Sequence, residues 1–95
     1  MPAYLYVNIE VTDAAGLEAY GAQVPAMIER FGGRYLARGS LGFRLEGDLE
    51  ARRQVLLEFP DMASLQAWYG SDEYRPMLAL RRSASIGEVM AFEGV

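Results

Sequence analysis

The sequence predicts an α+β fold of the ferredoxin-like kind, in which a βαββαβ chain forms a four-stranded antiparallel sheet with its helices on one face. Residues 4–11 alternate between apolar and polar or aromatic positions, a period of two that is typical of strands, and three further segments are predicted as strands. Segments with apolar residues at helical spacing separate the first strand from the second and the third from the fourth. The length of 95 residues suits a single domain, residues 1–95.

The four strands are bounded by residues that break extended structure. The predicted strands are residues 4–11, Arg34–Ser40, Gln54–Phe59 and Glu88–Glu93. A turn or bulge is predicted at Gly39–Gly42, followed by an extended continuation over Phe43–Glu46. Pro60 ends the third strand because it has no backbone N–H to donate to a ladder.

Two helical regions connect these strands. Thr12 or Asp13 can cap the first helix, which runs to Gly32–Gly33 and contains Pro25, so a bend is expected there. Asp61 can cap the second helix, which breaks at Gly70–Ser71 and resumes as a further helical piece to about Arg82.

The face of the sheet opposite the helices is predicted to be half apolar, which is unusual for a face in contact with water. Alternation assigns the following residues to it: Tyr4, Tyr6, Leu36 and Leu56, mixed with Asn8, Arg34, Arg38, Gln54 and Glu58. The hydrophobic fraction of 52% also exceeds the usual share for a soluble domain. Both observations indicate a homodimer that pairs its sheets, because symmetric dimers are the commonest oligomers.

The composition excludes several kinds of chemistry. The chain has no Cys and no His, and all nine basic residues are Arg. Disulfides, thiol nucleophiles, the usual zinc and haem sites, serine–histidine catalysis and Schiff bases are therefore excluded. A carboxylate-only metal site stays open in principle, but Glu46, Asp48 and Glu50 are better explained as a solvated turn. We expect no metal and no cofactor.

Net charge and hydropathy limit the kinds of partner that the protein is expected to bind. The net charge is −4 and the pI is about 4.7, so we expect no nucleic-acid partner, since such partners need a basic face. No apolar run approaches the roughly 18 residues that span a bilayer, so we expect no membrane segment. The N-terminus lacks the basic region of a signal peptide, and we expect a cytoplasmic protein.

Several ordered motifs distributed over nearly the whole chain resemble one known family. They are Val24–Ala26, Phe31–Gly39, Leu45–Asp48, Glu58–Asp61, Ala67–Pro76 and Glu93–Val95. The chain resembles the family of domain of unknown function 1330, within the dimeric α/β-barrel superfamily. The resemblance implies a ferredoxin-like protomer whose sheets pair across a dimer. It implies no particular activity, because superfamily relatives include cofactor-free monooxygenases, isomerases, decarboxylating enzymes, haem-handling proteins and plain ligand binders.

Arg38 is the first candidate for a catalytic or binding role. On a strand in the middle of the sheet, a guanidinium group needs a partner, since an unpaired buried charge is costly. That partner is either a ligand carboxylate or enolate, held by two parallel hydrogen bonds, or a strand carboxylate such as Glu58. In the catalytic interpretation Arg38 stabilises an enolate and Glu58, or a group of the ligand itself, acts as the base.

Aromatic residues near the helix break form the second group of candidates. Trp68, Tyr69 and Tyr74 can line a small-molecule pocket, and the Tyr74 phenol can donate to a developing oxyanion. The alternative for Trp68 is a purely structural role in the apolar stripe of the second helix. Tyr20 combines a core ring with a hydroxyl that needs a partner, which a ligand could supply.

Asn8 and Arg81 complete the candidate ligand-binding set. A buried Asn8 amide either orients a substrate oxygen or bridges strands or subunits. Arg81 either binds a ligand anion or, together with Arg82, interacts with the negative end of its helix dipole.

Two functions follow from these candidates. The first is a homodimer that binds a small carboxylate- or enol-bearing molecule, with proton transfer or cofactor-free oxygenation as the possible chemistry. The alternative is a non-catalytic dimeric module that senses a ligand or binds another protein. A formed cavity with perturbed titratable groups favours the enzyme, and a cavity filled by Tyr and Met side chains favours the module.

Overall fold

A computed structural model describes residues 1–95, and its elements follow the predicted order. The strands are β1 (Ala3–Val11), β2 (Arg34–Leu41), β3 (Arg53–Phe59) and β4 (Ser85–Glu93). The helices are α1 (Ala14–Arg30), α2 (Met62–Tyr69) and α3 (Arg75–Ala84). The strands lie in the order β2-β3-β1-β4, and every neighbouring pair is antiparallel. The ferredoxin-like prediction is confirmed.

The helix boundaries arise from the residues expected to set them. The Asp13 carboxylate accepts the N–H of Gly16 at 3.2 Å, and the Asp61 carboxylate accepts the N–H of Ser64 at 2.7 Å. Each bond satisfies an N–H that lacks a partner in the first helical turn. The chain leaves α1 through Gly32 at a φ of 84°, a conformation that is inexpensive only for glycine.

The hydrophobic core lies between the helices and one face of the sheet. Its strand residues are Ala3, Leu5, Val7, Ile9, Leu57 and Phe59, and its helix residues are Val24, Ile28, Leu65 and Trp68, joined by Tyr74. The Trp68 ring stacks on Phe59 with 5.5 Å between ring centroids. The core thus occupies the faces that alternation assigned to it in β1 and β3.

Strand β2 departs from simple alternation. Its register against β3 shifts between Tyr35 and Ala37 and again between Arg38 and Ser40. Because the first shift leaves Leu36 unpaired, Arg38 lies opposite Val55 on the helix-facing side of the sheet. The prediction that Arg38 lies on the outer face was therefore wrong. The prediction of a mid-sheet position was also wrong, since β2 is an edge strand.

The connection between β2 and β3 also differs from expectation. Residues 43–46 form a loop rather than an extended continuation, and Phe43 is 81% exposed. The side chain of Asn8 binds backbone groups of this connection: it accepts the Arg52 N–H at 3.0 Å and donates to the Glu50 carbonyl at 2.8 Å. None of the three helices combines the length and apolar character needed to cross a membrane.

Candidate functional site

A cavity of about 330 Å³ opens between the helices and the inner face of the sheet. Thirteen of its 18 lining residues are hydrophobic, and the other five are two glycines and three arginines. Its lining includes no Asp or Glu. This volume lies at the lower end of the range for small-molecule sites, roughly 300–1,000 Å³.

Five of the eight candidate residues line this cavity, and three do not. Those that line it are Arg38, Tyr74, Tyr20, Trp68 and Arg81. Glu58, Asn8 and Tyr69 lie elsewhere. The cavity therefore brings together residues from one strand and all three helices that are distant in sequence.

Two tyrosine hydroxyls meet in the wall of the cavity. The hydroxyl oxygens of Tyr20 and Tyr74 are 2.6 Å apart, and the two rings meet edge to face. Burial raises the pKa of Tyr20 well above its usual value, and the neighbouring Tyr74 hydroxyl raises it further. Tyr20 is therefore a neutral hydrogen-bonding group at every physiological pH, which suits it to donate to an oxygen anion rather than to act as a base.

Tyr74 is held in place by the break between α2 and α3. Its backbone N–H donates to the Ser71 hydroxyl at 3.1 Å, and that hydroxyl donates to the Trp68 carbonyl at 2.8 Å. The rings of Trp68 and Tyr74 lie 4.3 Å apart between centroids. The indole N–H of Trp68 has no hydrogen-bond partner in the protein. The helix break therefore fixes an aromatic wall that retains an unused donor.

Arg81 is the buried cation of the site. It is 8% exposed, and it takes part in none of the ion pairs of the molecule. Burial lowers the pKa of Arg81, but interactions with Tyr74, and with Tyr20 and Tyr69, outweigh burial and raise it overall. The guanidinium group is therefore always charged, and the protein supplies no counter-ion for it.

Arg38 and Tyr35 form the side of the cavity at strand β2. The Arg38 guanidinium donates to the Gly21 carbonyl at 3.2 Å and lies 4.6 Å from the centroid of the Tyr35 ring. Burial raises the pKa of Tyr35, while the nearby Arg38 charge opposes this rise. Arg38 is solvent-exposed, so it lies at the rim of the cavity rather than in its interior.

Sequence reasoning missed Tyr35 and Arg53, which also line the cavity. Arg53 donates to the Gly39 carbonyl at 3.2 Å. A signal for Arg53 was present, because it stands in the same alternating series as Val55 and Leu57 and so had to face the helices. Tyr35 gave the same kind of signal, since alternation that places Arg34 and Leu36 on the outer face places Tyr35 on the helix-facing side.

Glu58 lies on the outer face of the sheet, away from the cavity. Its carboxylate accepts hydrogen bonds from the Arg34 guanidinium at 2.9 Å and from the Tyr4 hydroxyl at 3.0 Å. These two bonds, in that order, lower the pKa of Glu58. The proposed pairing with Arg38 and the role of base within the pocket were therefore wrong, because the two side chains point to opposite faces.

Asn8 is fully buried on the outer side of the sheet and links β1 to the loop of residues 42–52. Its carbonyl oxygen also accepts from the Gln54 amide at 2.6 Å, and its amide lies 3.4 Å from the Glu88 carboxylate. The bridging alternative explains all of these contacts, and none of them involves the cavity.

Tyr69 lies next to the cavity rather than in its lining. Its ring meets Trp68 and Tyr74 at centroid distances of 5.8 and 5.6 Å. It lines a shallow neighbouring groove together with Arg81 and Arg82. The structure contains no group of three or more acidic residues that could hold a metal ion.

Fold and site together define a ferredoxin-like α+β domain with a mostly apolar cavity whose lining includes three arginines. The chain belongs to the family of domain of unknown function 1330, whose model matches residues 2–95. No curated protein matches it.

Two solved structures show the same fold. A protein of unknown function from Rhodopseudomonas palustris, RPA0582, is 19% identical with a TM-score of 0.74, covering 96% of this chain and 78% of that one. SnoaB, a cofactor-independent oxygenase from Streptomyces nogalater, is 16% identical with a TM-score of 0.64, covering 99% of this chain and 93% of that one. At these identities the likeness concerns the fold alone.

Proposed function

We propose that the protein is a homodimer that binds a small carboxylate- or enol-bearing molecule in the cavity of each protomer. One observation carries the ligand: three arginines line an otherwise apolar cavity that contains no carboxylate. Four other arginines, Arg30, Arg34, Arg52 and Arg75, do form ion pairs with acidic residues. In a chain of net charge −4, an acid-free cluster of cations is a site for an anion.

The outer face of the sheet supports the homodimer. Met90 is 57% exposed, Phe92 is 44% exposed and Leu36 is 45% exposed, and pairing places Met90 and Phe92 beside Tyr6 and Tyr4. Apolar surface of this extent on a sheet marks an interaction site. A second copy is the occupant that we propose, because the same half-apolar face on two protomers is self-complementary about a two-fold axis.

The chemistry open to this cavity is narrow. The chain has no His, Cys or Lys, and no carboxylate lines the cavity, so the protein offers no general base of ordinary strength. A ligand that forms its own anion can still react, because the arginines and the Tyr20–Tyr74 hydroxyl pair stabilise an enolate.

Cofactor-free oxygenation meets these conditions. An enolisable methylene group would lose two hydrogens and gain one atom of O2 as a carbonyl oxygen, and the second oxygen atom would leave as water. The likeness in fold to the cofactor-independent oxygenase SnoaB is consistent with this chemistry. The second candidate function is a ligand-sensing module that binds the anion without changing it. The absence of a general base favours this module as much as it favours cofactor-free oxygenation.

Native mass spectrometry of gently purified protein tests both parts of the proposal. We expect a dimer that carries a small acidic molecule, released on denaturation and detected as a negative ion. Arg38→Ala should lower the occupancy of this ligand, while Arg75→Ala, which removes an exposed arginine paired with Asp72, should not. A stable monomer would contradict the interpretation of the outer face. Undiminished ligand binding by a folded Arg38→Ala protein would contradict the assignment of Arg38.

A further inference from the structure

The three arginines of the cavity form two separate cationic positions. We propose that the ligand is an elongated diacid, with one anionic group at Arg81 and the other at the pair formed by Arg38 and Arg53. This inference rests on the proposed function of the cavity as a ligand site and specifies the class of its ligand.

Arg81 forms the inner position. The guanidinium group is buried and lacks an ion pair, and no hydrogen bond joins it to a backbone carbonyl. Burial of a guanidinium without an anion is unfavourable, and a carboxylate that accepts two parallel hydrogen bonds from it relieves this cost. The Tyr20–Tyr74 hydroxyl pair lies beside Arg81, and whichever hydroxyl accepts in that pair keeps its own O–H as one neutral donor for the same anion.

Arg38 and Arg53 form the outer position. Each is solvent-exposed, and each donates to one backbone carbonyl, of Gly21 and Gly39 respectively, at 3.2 Å. These bonds hold the side chains at the cavity while leaving most of the five N–H groups of each guanidinium unused. Neither arginine belongs to an ion pair.

The topology of the sheet separates the two positions. Arg38 and Arg53 extend from β2 and β3, at one side of the order β2-β3-β1-β4. Arg81 lies over the opposite side, where it lines a groove with Ile86 and Gly87 of β4. Two to three strand spacings of about 4.8 Å place the positions on the order of 10 Å apart. A separate anionic group is therefore assigned to each position.

The space between the positions suits an apolar chain or ring. Val7, Val55 and Leu57 of the sheet line it, and the rings of Tyr35 and Tyr74 lie among them. A volume of about 330 Å³ equals that of about eleven water molecules at roughly 30 Å³ each. The ligand therefore has on the order of ten to fifteen non-hydrogen atoms, with its acids at the two ends.

Paired titrations with diacids and monoacids test this inference. Trp68 is the only tryptophan and lines the cavity, so its fluorescence reports binding. The probes are suberate against octanoate and adipate against hexanoate, at constant pH and ionic strength. We expect suberate to bind about ten-fold more tightly than octanoate, because a second charge-assisted contact contributes roughly that factor.

Arginine variants locate the two ends of the diacid. Arg81→Met and Arg38→Met should each reduce the affinity for suberate to about that for octanoate, while Arg82→Met, an exposed neighbour outside the cavity lining, should leave the preference unchanged. Circular dichroism checks that each variant is folded, and Arg38→Met, at an exposed position, keeps the test open if Arg81→Met does not fold.

The possible outcomes separate the two proposals. Equal affinity for octanoate and suberate would overturn the diacid inference and leave the cavity as a site for a single anion. An unchanged preference for suberate in folded Arg38→Met protein would also overturn it. Failure of every probe to bind would contradict the proposed function itself, and the diacid inference with it.

Discussion

Replacement of Tyr20 by Phe removes one hydroxyl from the buried pair and should have opposite effects at neutral and alkaline pH. At pH 7 the Tyr74 hydroxyl, 2.6 Å from that of Tyr20, loses this partner, keeps its interaction with Arg81 and remains 1% exposed as a residue. We expect Tyr20→Phe to lower the free energy of unfolding by about 1 kcal/mol, the lower end of the cost of an unpaired buried group, since the adjoining cavity admits water.

The sign of this difference should reverse at alkaline pH. Burial, followed by the Tyr74 hydroxyl, raises the pKa of Tyr20 in the folded protein above its ordinary value of 10.0. Above pH 10 the unfolded chain therefore loses the phenolic proton while the folded chain keeps it, so the stability linked to Tyr20 is full below that pH and falls as pH rises. The loss is about 1.4 kcal/mol per pH unit, so the advantage of about 1 kcal/mol is used up about 0.7 unit above the ordinary value, and the crossover with the variant lies at about pH 10.7.

Urea unfolding followed by far-ultraviolet circular dichroism measures both effects. Wild type and Tyr20→Phe are compared at pH 7, 10 and 11 and at one protein concentration, because dimer formation links stability to concentration. Alkaline titrations of groups that do not contact Tyr20 are common to the two proteins and cancel in the difference. A constant difference from pH 7 to pH 11 would refute the argument, since it would mean that Tyr20 ionises equally readily in the folded and unfolded chains.

Two further predictions concern the sheet and its loop. Asn8→Ala should release the loop of residues 42–52 from the sheet, because the Asn8 side chain holds the backbone of Glu50 and Arg52. Trypsin cleavage after Arg44, measured by mass spectrometry of timed digests, should then increase several-fold. Unchanged cleavage would show that other contacts hold the loop. Gly87→Ala should lower the free energy of unfolding by more than about 3 kcal/mol, because a Cβ at this position, where φ is 151°, would overlap the Asn8 carbonyl oxygen. The control is Gly70→Ala, whose new Cβ would lie 3.3 Å from its nearest neighbour. In the same chemical unfolding assay this variant should lose less than about 1 kcal/mol.

The inner and outer faces of the sheet have different chemical tasks in this structure. The inner face closes a cavity in which arginines and tyrosine hydroxyls surround apolar walls. On the outer face polar side chains hydrogen-bond to one another, as Glu58 does with Arg34 and Tyr4. Apolar side chains such as Met90 are exposed on the same face. A ligand site would leave an unpaired cation in the protein without its ligand. A subunit interface would leave exposed apolar surface on an isolated chain.

Local patterns in the sequence were sufficient to predict the order of the elements. Alternation in β1 and β3, the capping carboxylates of Asp13 and Asp61 and the break at Gly70 each act within a few residues, so their outcome does not depend on distant parts of the chain. The choice of Arg38, Tyr20, Tyr74, Trp68 and Arg81 as candidates also used such patterns, and all five line the cavity. Their roles in ligand binding are still predictions.

The tertiary structure decided which face each polar side chain of the edge strand occupies and which polar groups meet. The register shift between Tyr35 and Ala37 reverses the face of Arg38, and such a shift is invisible to a count of alternating residues because it depends on pairing with β3. Contacts between segments distant in sequence also pair Glu58 with Arg34 rather than with Arg38, and they join Asn8 to the loop of residues 42–52. The sequence by itself determined the fold and the absence of a histidine, cysteine or lysine base. Only the packing of strands and helices placed three arginines around one cavity without a carboxylate, because contacts between distant segments form only when these elements pack.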